Sequence, residues 1–389
     1  MKKAVMYGCG NIGRGFIGQT FSLSGYEVVF IDVVQDIVDA INRDRRYPVC
    51  IISDDGMSES FVENVRAVNG IDVDAAAHEI ATADLMATAV GVNALAKITA
   101  SITKGIALRF QNNNTDPLNI IICENMLGAD NYLRELIEKE LSSQELKTFL
   151  KEKIGFVEAS IGRMVPIQTD DTKRGNPLRV CVESYDELPV DEEAFKGEIP
   201  SLKNLKPFTP FSFYIKRKLF VHNMGHATAA YLGRLKNYTY IYEAIRDKEI
   251  EATVRRAMTE SARALIKEYD VPEEELCEHV SDLISRFGNR GLKDTVLRVG
   301  GDPIRKLSED DRMAGAIREC LSNGIEPRNI CMGMAAGTLF TAQSDPSAVE
   351  VQSRIKREGI EAFLSGHSKV PKELINVIIE MRDALKVEI

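Results

Sequence analysis

A short apolar strand, residues 3 to 7 (KAVMY), runs directly into Gly8-Cys9-Gly10-Asn11-Ile12-Gly13, the spacing G-x-G-x-x-G. In a strand-to-helix turn of this kind the first glycine permits the tight turn. The second lets the backbone approach a pyrophosphate, and the third lets the helix pack close to the strand. The helix N-terminus then presents free N–H groups to the anion, with Asn11 and Ile12 inside the loop. A second strand, YEVVFID, ends in Asp32, nineteen residues after Gly13. A carboxylate there is suited to the ribose hydroxyls of NAD and would repel a 2′-phosphate; no arginine follows it directly, so NAD is favoured over NADP. The competing reading, three turn glycines and a surface aspartate, leaves the agreement of strand, loop, helix and acid unexplained.

Further apolar runs, ADLMATAVG (83 to 91), PLNIIICEN (117 to 125) and IGFVEASIG (154 to 162), are each short, bounded by polar residues or glycine, and preceded by helix-like sequence. They predict an α/β domain of Rossmann type, a doubly wound sheet over residues 1–200. Ligands of such sheets collect beyond the C-terminal strand ends, where Thr88, Val90, Gly91 and Asn125 fall. The proline-bearing EIPSLKNLKPFTPF reads as a linker. After it come helical patterns at 240–269, 273–287, 309–322, 346–364 and 371–386, predicting a mainly α-helical domain over residues 201–389 that closes over the first, with Lys218 near the interface.

Within that second half, KLFVHNMGH (218 to 226) continues into ATAAYLG, rich in helix formers, and ends at the capping glycine Gly233. At about 100° per residue, Asn223 falls roughly 140° and His226 roughly 80° round from Lys218, so the three share one broad face. An amine, an amide and an imidazole beside a nicotinamide suffice to reduce a carbonyl without a metal. Taken singly, each has a bland alternative: a solvated charge, a polar helix residue, a core histidine.

Composition narrows the partners. A net charge of −9 and the lack of a long basic cluster argue against nucleic acid. No apolar stretch reaches the roughly twenty residues of a membrane span, and MKKAVMYG leads into a strand and not a signal peptide. Seven cysteines without a C-x-x-C fit free thiols in a reducing cytoplasm, and dispersed histidines predict no zinc site. Cys9, at a helix N-terminus, is expected to have a lowered thiol pKa and to be open to oxidation. Oligomeric state is left open.

GCGNIGRGFIGQ, Asp32, TAVG (88 to 91), CEN (123 to 125), RKLFVHNMGHATAAYLG (217 to 233) and RKLSEDDR (305 to 312) together resemble the mannitol dehydrogenase family, the polyol-specific long-chain dehydrogenases, whose signature is Lys-x4-Asn-x2-His. The resemblance extends over most of the chain in matching order. It implies an NAD-dependent dehydrogenase of a sugar phosphate or polyol, with mannitol 1-phosphate and fructose 6-phosphate as first choice. Lys218 would be the general acid/base, Asn223 and Asn125 donors to the reacting oxygen, and His226 a substrate-orienting hydrogen-bonder. Burial beside the amide and the nicotinamide would lower the lysine pKa toward working pH. Arg305 and Lys306 are candidates for holding the substrate's phosphate or carboxylate. The chain departs from the family at Gly162 (usually aspartate), Lys216 (usually glutamate) and Gly301 (usually arginine). Alternatives are a free polyol or a hexuronate such as fructuronate or tagaturonate as substrate, a non-catalytic NAD-binding regulator, and, third, a 6-phosphogluconate dehydrogenase-like hydroxy-acid enzyme.

Overall fold

The computed structural model describes residues 1–54 and 56–387. The chain divides into two compact units, Met1–Phe211 and the part from Ser212 onward.

In the first unit a six-stranded sheet contains β1 (Lys3–Tyr7), β2 (Glu27–Asp32), β5 (Val65–Asn69), β6 (Leu85–Thr88), β7 (Leu118–Ile122) and β8 (Ile154–Glu158). Its order is β5-β2-β1-β6-β7-β8, parallel throughout. The chain winds outward from β1 through β2 to β5, then returns to β6 on the other side. The switch of direction between β1 and β6 opens the crevice in which open α/β sheets bind ligands.

Strand alternation divides the core. Val5 and Tyr7 face the helices Val73–Ala81, Thr99–Gln111 and Ala129–Glu140. Ala4 and Met6 face the helical stretch Gly13–Leu23 and the helix Gln35–Asp44. The doubly wound sheet is as the periodicity predicts, because strands covered on both faces read as continuous apolar runs.

Three smaller features differ from the sequence reading. The strands β3 (Arg46–Ser53), β4 (Gly56–Glu63) and β9 (Val180–Val182) form a separate sheet, ordered β4-β3-β9. PLRVCVESYDELPV, which alternates as one strand, is split into β9 and β10 (Leu188–Asp191). The proline-bearing linker contains β11 (Leu205–Phe208), which pairs in parallel with β10.

From Ser212 the described elements are helical. The helix Lys248–Tyr269 begins at an Asp247 cap whose side chain accepts from the N–H groups of Glu249 and Ile250. No helix among the described residues is long and apolar enough to cross a membrane. The segment Arg217–Asn223 is π-helical, with the Met224 N–H reaching Leu219 O, and α-helix resumes at Met224–Leu235. A π turn is wider than an α turn, so the angles expected from 100° per residue do not apply across it. Such turns are frequent at functional sites.

Candidate active site

In the first unit, Gly8 has φ +104°, and a Cβ there would lie 2.5 Å from Ala89 O. A Cβ on Gly13 would collide with Gly8 O, so the third glycine is fixed by the close return of the helix. At Gly10 a Cβ would meet nothing within 4 Å, so the loop is open at the residue expected beneath a pyrophosphate. Asn11 is exposed and Ile12 half-buried, with Ile12 packed on the core below.

Asp32 stands at the end of β2, where its carboxylate accepts from the N–H groups of Cys9 (2.5 Å) and Val34 (3.0 Å). These bonds aim the acid and tie it to the glycine loop. A carboxylate has about four acceptor positions, so capacity remains for a ribose hydroxyl. The exposed Val33 and Val34 follow it, an apolar pair that sequence reasoning passed over.

Cys9 corrects an expectation. Its side chain is 2% exposed, and burial, reinforced by Asp32, pushes the thiol well above its ordinary range. A thiol held protonated and covered is the inert kind of cysteine, the reverse of the reactive one that its place in the loop suggests.

Thr88 ends β6, Val90 and Gly91 follow it, and all three are held by Glu124, a residue to which the sequence reading gave no role. The Thr88 hydroxyl (2.7 Å) and the Val90 N–H (2.9 Å) both donate to its buried carboxylate. Burial raises the pKa of Glu124, and these donors hold it back. Glu124 therefore braces the ends of β6 and β7 at the edge where the neighbouring Asn125 is exposed.

In the second unit, the π turn carries Lys218 and Asn223, both half-buried, and His226 lies in the first turn of the α-helix after it. The His226 ring stacks on Phe287, with centroids 4.6 Å apart and planes 8° from parallel. Its Nε2 lies 3.6 Å from Asp294 Oδ2. Burial pushes the imidazole pKa down to about 4; Asp294 opposes this, while Arg298, Lys306 and Arg312 add to it. His226 is therefore neutral at neutral pH, able to donate from one nitrogen and accept at the other. Neither Phe287 nor Asp294 was found from the sequence, since both reach His226 only through tertiary packing.

Lys306 is 7% exposed and donates to Val299 O at 2.6 Å. Burial lowers its pKa to about 8, with Arg312 and Arg305 adding to the effect. Arg305 is half-exposed and bridges Asp302 (2.7 Å) and Asp311 (2.9 Å). The positions that depart from the family pattern also have local explanations. The Lys216 ammonium sits between Glu268 (2.5 Å) and Glu319 (3.1 Å). A Cβ on Gly162 would lie 3.0 Å from the Tyr185 ring, and one on Gly301 would lie 3.2 Å from Leu297 O.

Residues 2–204 match the mannitol dehydrogenase Rossmann domain and residues 211–385 the mannitol dehydrogenase C-terminal domain. The mannitol-1-phosphate 5-dehydrogenase of Buchnera aphidicola subsp. Acyrthosiphon pisum (strain Tuc7) is 37% identical over 97% of both chains. That of Thermoanaerobacter pseudethanolicus is 38% identical over 99% of this chain and 98% of its own. Among solved structures, a substrate-free D-sorbitol dehydrogenase superposes with a TM-score of 0.85 at 15% identity, covering 100% of this chain and 94% of that one. The Pseudomonas fluorescens mannitol 2-dehydrogenase, in ternary complex with NAD and D-mannitol, gives 0.71 at 14% identity over 99% and 92%. At such identities the two structures speak for the fold.

Proposed function

Because this chain belongs to the mannitol dehydrogenase family and is an NAD-dependent polyol dehydrogenase, we propose that it interconverts D-mannitol 1-phosphate and D-fructose 6-phosphate. The observation that carries the reading is the turn of the second unit, where Lys218, Asn223 and His226 follow one another within nine residues. The near-full-length relatives named for this reaction support the choice of substrate.

When bound, NAD would supply the hydride acceptor for oxidation of the alcohol carbon, and NADH the hydride donor for the reverse. The open Gly10 loop would hold the pyrophosphate, Asp32 the ribose hydroxyls, and Thr88, Val90 and Gly91 the wall of the crevice. In oxidation, Lys218 Nζ as a neutral amine takes the hydroxyl proton. In reduction, the ammonium gives that proton back to the ketone oxygen. Asn223 and Asn125 donate N–H to the same oxygen as charge develops on it, each contribution being on the order of 10²- to 10³-fold. Neutral His226, braced by Phe287, orients a substrate hydroxyl, while Lys306 and Arg305 contact the polyol. With the proton and the oxyanion donors all supplied by side chains, the proposed chemistry calls for no metal.

The test follows NADH oxidation by wild type and Lys218→Ala with fructose 6-phosphate, fructose, fructuronate and tagaturonate as acceptors. Turnover of fructose 6-phosphate alone is expected, reduced by about 10²-fold or more in the variant with NADH affinity nearly intact. Selective use of fructuronate or tagaturonate would sink the phosphate reading. Near-normal turnover in the variant would remove Lys218 from the mechanism, and silence with every acceptor would point to a regulator.

A further inference from the structure

Arg217, beside Lys218 in the π turn, is a cation with an unusual balance sheet. Its side chain is 8% exposed. The face of the guanidinium lies over the Tyr214 ring, 4.3 Å from its centroid, with Phe213 at 5.8 Å. Stacking of this kind uses the face and leaves the edge, with its five N–H donors, unspent. Among the described residues no acceptor lies within hydrogen-bonding distance of that edge: Glu275 Oε1, at 4.0 Å, is beyond it. The guanidinium nitrogens are not fully enclosed, so the idle edge is open to something beyond the protein's own acceptors.

The surroundings say what that something is. The helix Glu273–Phe287 packs on the turn and presents Glu275, His279, Asp282 and Arg286 at successive intervals of three or four, one stripe along its length. Arg286 is 8% exposed and pairs with Asp282 at 3.3 Å. His222, from the turn itself, is 7% exposed and has its ring 5.7 Å from Phe287 and 6.2 Å from His226. Both His222 and His279 have pKa values driven well down by burial. Arg286, His226, His279 and, last, Lys218 press on His222, and Arg217 and Arg286 press on His279. Two acids that face this group are the half-exposed Glu275 and Asp282, the latter already engaged. Arg305 is balanced by two carboxylates and the Lys306 ammonium is turned to a carbonyl, so neither offers an equally idle cationic edge.

We infer that Arg217, with His222, His279 and Arg286 around it, is the subsite for the substrate's phosphate group. The guanidinium edge grips two phosphate oxygens while Lys218, one residue on, works at the reacting oxygen. This rests on the sugar-phosphate reading above and gives it a specificity residue. A bidentate charged pair of this sort separates phosphorylated from unphosphorylated ketoses roughly ten- to a hundredfold.

Two measurements decide it. Steady-state kinetics of Arg217→Gln and Arg217→Lys with fructose 6-phosphate should show KM raised roughly tenfold or more in the glutamine variant. The loss should be carried by KM and not kcat, with part restored by lysine. An unchanged KM overturns the inference. Independently of turnover, proton NMR of the histidine rings in the wild-type chain is followed as inorganic phosphate is added, with acetate as the control. His222 and His279 should move with phosphate while His78 and His367 stay, and the shifts should vanish in Arg217→Gln. If wild type ignores fructose 6-phosphate but these shifts appear, the function fails and the anion subsite stands. If phosphate moves neither ring, the subsite falls whatever the substrate.

Discussion

Lys306 shows how one side chain can stand at odds with the stability of its own fold. Its ammonium is nearly enclosed, has a single carbonyl acceptor at 2.6 Å, and sits in the field of Arg312 and Arg305. The pKa of about 8, against an ordinary 10.5, means that the unfolded chain binds the proton more tightly than the folded one. At pH 7 the folded state carries that penalty in full, and it fades as pH rises from 8 to 10.5. Lys306→Met is therefore expected to raise stability at pH 7 by about 1–3 kcal/mol, with a gain that shrinks above pH 8. It should also weaken substrate binding, a trade common where polar groups are buried for function. Denaturant titrations at pH 7 and pH 10 check this: a destabilised variant at pH 7 would show that the bond to Val299 O outweighs the desolvation.

Elements built from continuous apolar runs were legible in the sequence: β1, β2, β6, β7 and β8 are all found where glycine and polar residues bound such runs. The β3–β4 pair was not, because Pro48 interrupts the first strand and Gly56–Glu63 is polar and largely exposed, without the contrast that marks a covered strand. The helix Arg328–Gly337 escaped for the opposite reason: seven of its ten residues are buried, and the small residues of RNICMGMAAG leave little amphipathic contrast. For the site, the glycine loop, Asp32 and the Lys218 turn could be read locally. Glu124, Phe287 and Asp294 could not, since each acts on a residue brought near by folding.

The same limit applies to Lys216, which in sequence is a lysine where the family resemblance leads one to expect glutamate, and in the fold is the bridge between the helices Lys248–Tyr269 and Ala314–Ser322. Glu319 there is pushed up to about 7 by burial and by Glu268, while Glu268 is held below its ordinary value. A carboxyl with a raised folded pKa keeps its proton when the unfolded chain has lost it. Its contribution to stability thus declines as pH rises from 4.5 to about 7, whereas the Glu268 effect falls below 4.5. Melting curves between pH 5 and pH 7.5 should show a falling Tm in wild type and a flatter line in Glu319→Gln. Parallel slopes in the two would mean that the proton is not held at this bridge.

At the scale of the whole molecule, the division of labour is also a division of the chain. Both apolar clusters that sandwich the six-stranded sheet are built from residues no later than Leu205, so the first unit contains its own core. It also contains the glycine loop, Asp32, and Glu124 with the loop it braces. Lys218, Asn223 and His226 all come after Ser212. If binding the nucleotide and moving the proton are separable in this way, a fragment of residues 1–211 should fold and bind NADH within about tenfold of the full chain's affinity while turning over no ketose. Because the chain has no tryptophan, binding is best followed by the emission of NADH itself, which brightens on leaving water. A folded fragment that leaves NADH emission unchanged would mean that the crevice between β1 and β6 is incomplete by itself and that the second unit supplies part of the nucleotide's binding energy.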